Sequence, residues 1–278
     1  MTYLVTENDA HRLGLDELST LAPTTIPVDE PYRMNVDLGG VVLPLLVVRR
    51  DSAERLVVLN NGAVNLERSA RRPVFQRSSW WMDIQAHQIY VCDPGTVGEQ
   101  AMPINWLQLP HPQWRVKEIV MAIVRLSRVL GTPLPHQRLY YGSSAGGFAT
   151  LLELAYDRQA RAVVNNPQID WTRWHAHQVK PVLESRFPGR NAQQVRERMP
   201  KRAICLQNLA DSGTRARVDY WVNMASAHDR DVQLPVTQAF LRENPEICAD
   251  FSLHMYFNEV QGHNPMSKEK TLEILNEG

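Results

Sequence analysis

The tightest constraint in this chain lies between residues 138 and 156. A short aromatic and aliphatic run, Arg138-Leu139-Tyr140-Tyr141, passes into Gly142-Ser143-Ser144-Ala145-Gly146-Gly147 and then into a helix-prone stretch at 148–156. The order is strand, glycine-rich turn, helix. A serine hydroxyl is a poor nucleophile near neutral pH, so it needs a base within reach and donors for a tetrahedral oxyanion. A sharp strand-to-helix turn in G-x-S-x-G provides the setting for both. It holds Ser144 in a strained backbone conformation, with glycines where side chains would strike the neighbouring strand and helix. It also turns the Ala145 amide, at a helix N-terminus, toward the developing charge. Such glycines also serve phosphate-binding turns, but no Lys follows as in G-x-x-x-x-G-K-[ST], and the G-x-G-x-x-G spacing is absent. Ser143, with Tyr141 and Ala145 two residues away, lacks the small-residue frame and reads as structural.

The rest of the chain alternates in the same manner. Apolar runs at 41–49 and 55–60 read as strands, the second stopping at Asn60-Asn61-Gly62-Ala63; a further strand is expected at 87–92. Val116, Ile119, Val120, Ile123, Leu126 and Val129 recur at helical spacing before Gly131 and Pro133. Strands are also expected at 162–165, 203–206 and 251–257, and a closing helix at 271–276. Strands alternating with helices imply an α/β fold, a largely parallel sheet covered on both faces. The segment between the strands near 164 and 204 is too long for a simple crossover. The expectation is one domain over residues 1–278 with a helical cap inserted at about 168–200.

With the Ser144 pentapeptide in that context, the chain resembles the α/β-hydrolase superfamily. The resemblance implies a Ser-acid-His order along the chain, met here by Ser144, Asp211 after the expected strand at 203–206, and His263 in Gly262-His263-Asn264 after the last strand. It also implies oxyanion donors at the amide of Ala145 and at Gly62 or Ala63, although the His-Gly pair common in lipases and esterases is absent from that loop. Asp170, Asp219 and Asp250 compete with Asp211 for the acid. His254 lies inside a strand and His228 precedes charged residues, which leaves His263 in the better place. Trp171 and Trp174 line a substrate pocket or form one apolar face of a packed helix. His175-Ala176-His177 has no nearby carboxylate or cysteine ligand, so no metal site is expected. More loosely, Ser144 together with Val164-Asn165-Asn166-Pro167-Gln168 and Leu206-Gln207-Asn208 looks like α/β-hydrolase-type proteins of bacterial surface-glycan machinery, including O-acetyltransferases.

The resemblance implies a serine hydrolase, an esterase, working through an acyl-enzyme without a cofactor. The alternative is an O-acyltransferase that moves an acetyl group, with acetyl-CoA as donor, onto a glycan hydroxyl; a catalytically silent binding protein on the same fold is a third. With a histidine base, activity falls as the imidazole takes a proton. Thirty Lys and Arg balance 30 Asp and Glu without a basic block, which argues against a nucleic-acid partner and leaves a small-molecule or glycan ester as the expected substrate. Cys92, Cys205 and Cys248 are scattered, odd in number and set in apolar runs, as reduced core thiols would be. Charges at Glu7, Asp9, Arg12, Asp16 and Glu17 interrupt any secretory signal core, and no run approaches the ~20 apolar residues of a transmembrane helix. A cytoplasmic location is expected.

Overall fold

The computed structural model describes residues 10–109, 114–247 and 250–277; Glu7, Asp9 and Cys248 lie outside the described residues. Its strands are β1 (His11–Gly14), β2 (Pro31–Asp37), β3 (Val42–Val48), β4 (Leu56–Asn60), β5 (His87–Val91), β6 (Arg138–Ser143), β7 (Arg161–Asn165), β8 (Arg217–Asn223) and β9 (Asp250–Tyr256). They form one sheet in the order β1-β2-β3-β5-β4-β6-β7-β8-β9. β3 runs antiparallel to both β2 and β5, and the remaining pairings are parallel. The helices are α1 (Leu66–Ser69), α2 (Val116–Val129), α3 (Ala145–Leu154), α4 (Ala176–Arg186), α5 (Ala192–Arg198), α6 (Pro200–Ala203), α7 (Cys205–Ser212), α8 (Leu234–Glu243) and α9 (Lys268–Asn276).

The central strands are apolar throughout because both of their faces are covered. In β4, Leu56 and Val58 enter one core with Ile119, Ile123 and Phe148, while Val57 and Leu59 enter a second with Phe75, Ile274 and Leu275. The two-residue period of a strand divides such a run between opposite cores, one under α2 and α3 and the other under α9. The chain passes from β4 out to β5 and returns across to β6, so the strand order reverses at β4. In open α/β sheets the crevice at the carboxyl ends of the strands, beside such a reversal, is where ligands bind. Here β4 ends at Asn60, β6 at Ser143, β7 at Asn165 and β8 at Asn223.

One expectation fails near the later strands. Residues 203–206 are not a strand: Ile204 forms only an isolated bridge with Asp170, and Cys205, Leu206 and Leu209 are buried along one face of α7, which packs on α3. The strand is β8, where buried Val218, Tyr220 and Val222 alternate with the less buried Arg217, Asp219 and Trp221. β1 and β2, in the polar opening segment, were also not legible as strands. Cys92 and Cys205 are free and buried, and burial pushes both thiols upward in pKa, that of Cys92 to about 12. Among the described residues no helix is long and apolar enough to cross a membrane.

Candidate active site

Ser144 sits between β6 and α3 with φ 57° and ψ −126°, a conformation that side chains rarely adopt. Its neighbours explain the glycines. A Cβ on Gly142 would overlap the Gly146 carbonyl, and one on Gly146 would lie 2.7 Å from the Asn60 carbonyl oxygen at the end of β4. The turn is fixed by the Ser144 N–H donating to the Asn165 carbonyl (3.1 Å) and by the Ser144 carbonyl accepting from the Gly147 and Gln168 amides (3.0 and 3.1 Å). Ser143 points elsewhere: its Oγ accepts from Arg77 Nη2 at 2.7 Å, under a guanidinium 4.9 Å from the Tyr141 ring centre.

His263 reaches Ser144 from the loop after β9, with Nε2 2.8 Å from the Ser144 Oγ. Its Nδ1 is 2.7 Å from Oδ2 of Asp229, which is fully buried. An ionised carboxylate only accepts, so Nδ1 carries the proton toward Asp229 and Nε2 is left to accept the serine hydroxyl. Asparagines at the strand ends hold the histidine loop in place. Asn223 Nδ2 donates to the carbonyls of Asn258 and Gly262 (2.7 and 2.8 Å), while its Oδ1 accepts from the Asn258 amide (2.9 Å). Asn166 Nδ2 donates to the His263 carbonyl (3.2 Å), and Asn166 Oδ1 accepts from the Asn223 amide (2.8 Å).

Thus Ser144 and His263 meet, and Asp211 does not join them. Asp211 lies on α7, paired with Lys201 at 2.9 Å and accepting from Gln207 at 2.6 Å; Lys201 holds its carboxyl below the ordinary carboxylate range. Its displacement follows from 205–212 being the helix α7. The acid against the histidine is Asp229, on a π-helical turn (Asp229–Gln233) after β8 and not after the strand expected at 203–206. The other carboxylates are engaged as well: Asp170 caps the turn at Thr172, Asp219 pairs with Arg161 and His254, and Asp250 with Arg217.

The two tryptophans separate. Trp171 is fully buried, stacked on Trp106 at 5.1 Å between ring centres, with Nε1 donating to the Arg202 carbonyl; it is a core residue, not a pocket wall. Trp174 lies against the site, its ring centre 4.5 Å from those of both His263 and His228. His175 packs beside them, 4.9 Å from His228. Desolvation, and then the neighbouring His175, lower the pKa of His228. Among the described residues no group of three or more His, Cys, Asp or Glu is arranged to hold a metal ion.

The loop after β4 is held by Gln76. Its Oε1 accepts from the Gly62 amide (2.9 Å), its Nε2 donates to the Ala63 carbonyl (2.7 Å), and its own amide donates to Asn61 Oδ1 (2.9 Å). The Gly62 amide is therefore already engaged, whereas the Ala63 amide has no partner among the described residues. The Ala145 amide opens α3, where no intrahelical acceptor exists. Gln168, buried just after β7, donates from Nε2 to the Ser144 Oγ at 2.9 Å. Neither glutamine was assigned a role from sequence, since a single amide side chain in a loop carries no pattern.

This is the α/β-hydrolase fold. The chain is similar to the capsule O-acetyltransferase of Neisseria meningitidis serogroup A, with TM-score 0.64 and 11% identity over 87% of this chain and 94% of that one. It is also similar to the HSL homologue EstE7 from a metagenome library, with TM-score 0.55 and 15% identity over 94% and 89% of the two chains. Porphyromonas gingivalis dipeptidyl peptidase 4 matches with TM-score 0.62 and 14% identity over 90% of this chain but 35% of that one. The fold is shared with esterases, peptidases and O-acetyltransferases, and the structural neighbours are mostly enzymes. By sequence, no protein-family model and no curated protein matches.

Proposed function

We propose that the chain is a serine-dependent acyl-transfer enzyme that cleaves an ester. The observation that carries the reading is the continuous relay from Ser144 Oγ through His263 to buried Asp229, with contacts of 2.8 and 2.7 Å. As Ser144 Oγ bonds to the acyl carbon, its proton passes to His263 Nε2 and the carbonyl π pair moves onto oxygen. On this reading the amides of Ala145 and Ala63 stabilise that charge, and Asp229 stabilises the imidazolium. Collapse expels the alcohol, which takes the proton from His263. A second hydroxyl compound then gives its proton to His263 and attacks the acyl carbon; collapse breaks the bond to Ser144 Oγ, which takes that proton back from His263. With water this is an esterase. The segment at 168–200, on this reading, is a cap over a single domain, and Trp174 forms part of the substrate wall.

A second reading, O-acyl transfer to a glycan hydroxyl, has one observation in its favour: the likeness to the capsule O-acetyltransferase spans nearly all of both chains. Acetyl-CoA would then be the acyl donor. Both readings are tested with an aryl acetate and with acetyl-CoA plus sugar acceptors. Esterase action releases acetate from the aryl ester in the wild type and not in Ser144→Ala or His263→Ala; transferase action forms acetylated sugar faster than free acetate. A folded wild type inert to both donors contradicts the proposal.

A further inference from the structure

We infer that Gln168 is a catalytic residue of this centre, its carboxamide donating first to the nucleophile and then to the oxyanion. The inference rests on the acyl-transfer reading of Ser144 and extends it. Gln168 is 1% exposed, and its side-chain Nε2 lies 2.9 Å from the Ser144 Oγ, the reacting atom. Its orientation is fixed by chemistry. The indole Nε1–H of Trp106 donates to Gln168 Oε1, and indole nitrogen only donates, so the carboxamide presents oxygen to Trp106 and nitrogen to Ser144. Trp106 is itself immobilised, 1% exposed and stacked on Trp171.

Two consequences follow from this arrangement. Because Gln168 donates to Oγ, the hydroxyl's own hydrogen is directed to the other neighbour, His263 Nε2, 2.8 Å away. The reactant is thereby aligned before substrate arrives. Next, when Oγ bonds to the acyl carbon and its proton moves to His263, Oγ becomes an ester-type oxygen and a weak acceptor. The negative oxygen on the same carbon is a strong one. Nε2 carries two N–H groups, and the second has no acceptor among the described residues, so the amide meets the oxyanion without reorganising. The carboxamide adds a third donor to the amides of Ala145 and Ala63, the Gly62 amide being taken up by Gln76.

The test compares Gln168→Met, which removes both donors at similar length, Gln168→Glu, which keeps the shape and replaces donors by acceptors, and Trp106→Phe, which frees the carboxamide to rotate. The readouts are kcat and KM for aryl acetate, the pH profile, and thermal melting. Gln168→Met is expected to lower kcat about 100-fold, the usual size for one lost oxyanion donor, with KM changed by no more than about three-fold; melting falls by the modest amount that an unmet Trp106 indole N–H costs, and the protein stays folded at the assay temperature. Gln168→Glu lowers kcat at least as far and moves the acidic limb of the profile upward, because a carboxylate there favours protonated His263. Trp106→Phe falls between wild type and Gln168→Met. If Gln168→Met does not fold, the pH shift in Gln168→Glu and the rate of Trp106→Phe decide. Folded variants with kcat within about three-fold of wild type, or rate losses that only track the unfolded fraction, overturn the inference. An inert wild type instead overturns the acyl-transfer reading on which it rests.

Discussion

Two aspartates eighteen positions apart behave oppositely, and the difference is burial. Asp229 is fully buried with one oxygen on His263, whereas the Asp211 side chain is 35% exposed and paired with Lys201. A buried carboxylate that fixes an imidazole tautomer is worth about 10³- to 10⁴-fold in rate, and a surface ion pair close to nothing. Asp229→Asn is therefore expected to cut aryl acetate hydrolysis by about 10³-fold or more, while Asp211→Asn stays within about two-fold. The reverse pattern contradicts the geometry. Ser144 and His263 were legible because the serine motif is local and the histidine follows an apolar strand that ends the sheet. Asp229 was not, because its strand β8 interleaves Arg217 and Asp219 with Val218 and Tyr220. The apolar stretch at 203–206 looked more like a strand, and its helical burial of Cys205, Leu206 and Leu209 is decided by packing on α3. Gln76 and Gln168 act through contacts across 14 and 24 residues, invisible to any local pattern.

At the level of elements, the site depends on how strands stop. β4, β6, β7 and β8 end in Asn60, Ser143, Asn165 and Asn223, and the side chains of Asn165 and Asn223 take up backbone groups that the sheet no longer pairs. Met266 N–H donates to Asn165 Oδ1 (2.8 Å), so β7 and β8 together clamp the 258–266 loop that carries His263. Asn223→Ala removes three hydrogen bonds to the part-buried backbone of Asn258 and Gly262 and is expected to cost about 1–3 kcal/mol of stability. It should also lower kcat more than it raises KM, because the displaced group is the proposed base; urea unfolding and steady-state kinetics check the two parts. The elbow is stricter. In Gly146→Ala the new methyl meets backbone at Asn60 and Asn61, which no rotamer change relieves, so activity should be lost even where folded protein is recovered. Unchanged turnover in that variant would mean that α3 can move away from β4. The strands with both faces covered were readable as unbroken apolar runs, but β1 and β2 were not, since their residues are mixed in character and only partly buried.

At the scale of the whole molecule, a carboxyl group is buried behind the elbow. Glu153 of α3 is fully buried, accepting from Asn60 Nδ2 at 2.6 Å, and burial pushes its carboxyl from the ordinary 4.5 up to about 8. The folded chain keeps that proton over a range in which the unfolded chain releases it. This group's contribution to stability therefore falls as pH rises from about 4.5 to about 8 and is level beyond. Glu153→Gln removes the effect, so its unfolding free energy should gain on wild type by up to about 1.4 kcal/mol per pH unit in that window. Urea titrations at about pH 5 and about pH 8 measure it, and a difference independent of pH would contradict a neutral buried Glu153. The central claim is that this frame exists to activate one hydroxyl of the two adjacent serines. The most direct measurement is the site of modification by a fluorophosphonate, read by peptide mass spectrometry on folded wild type, Ser144→Ala and His263→Ala. The account predicts a single adduct on Ser144 in the wild type and none in either variant; an adduct on Ser143, or labelling that survives loss of His263, would contradict it.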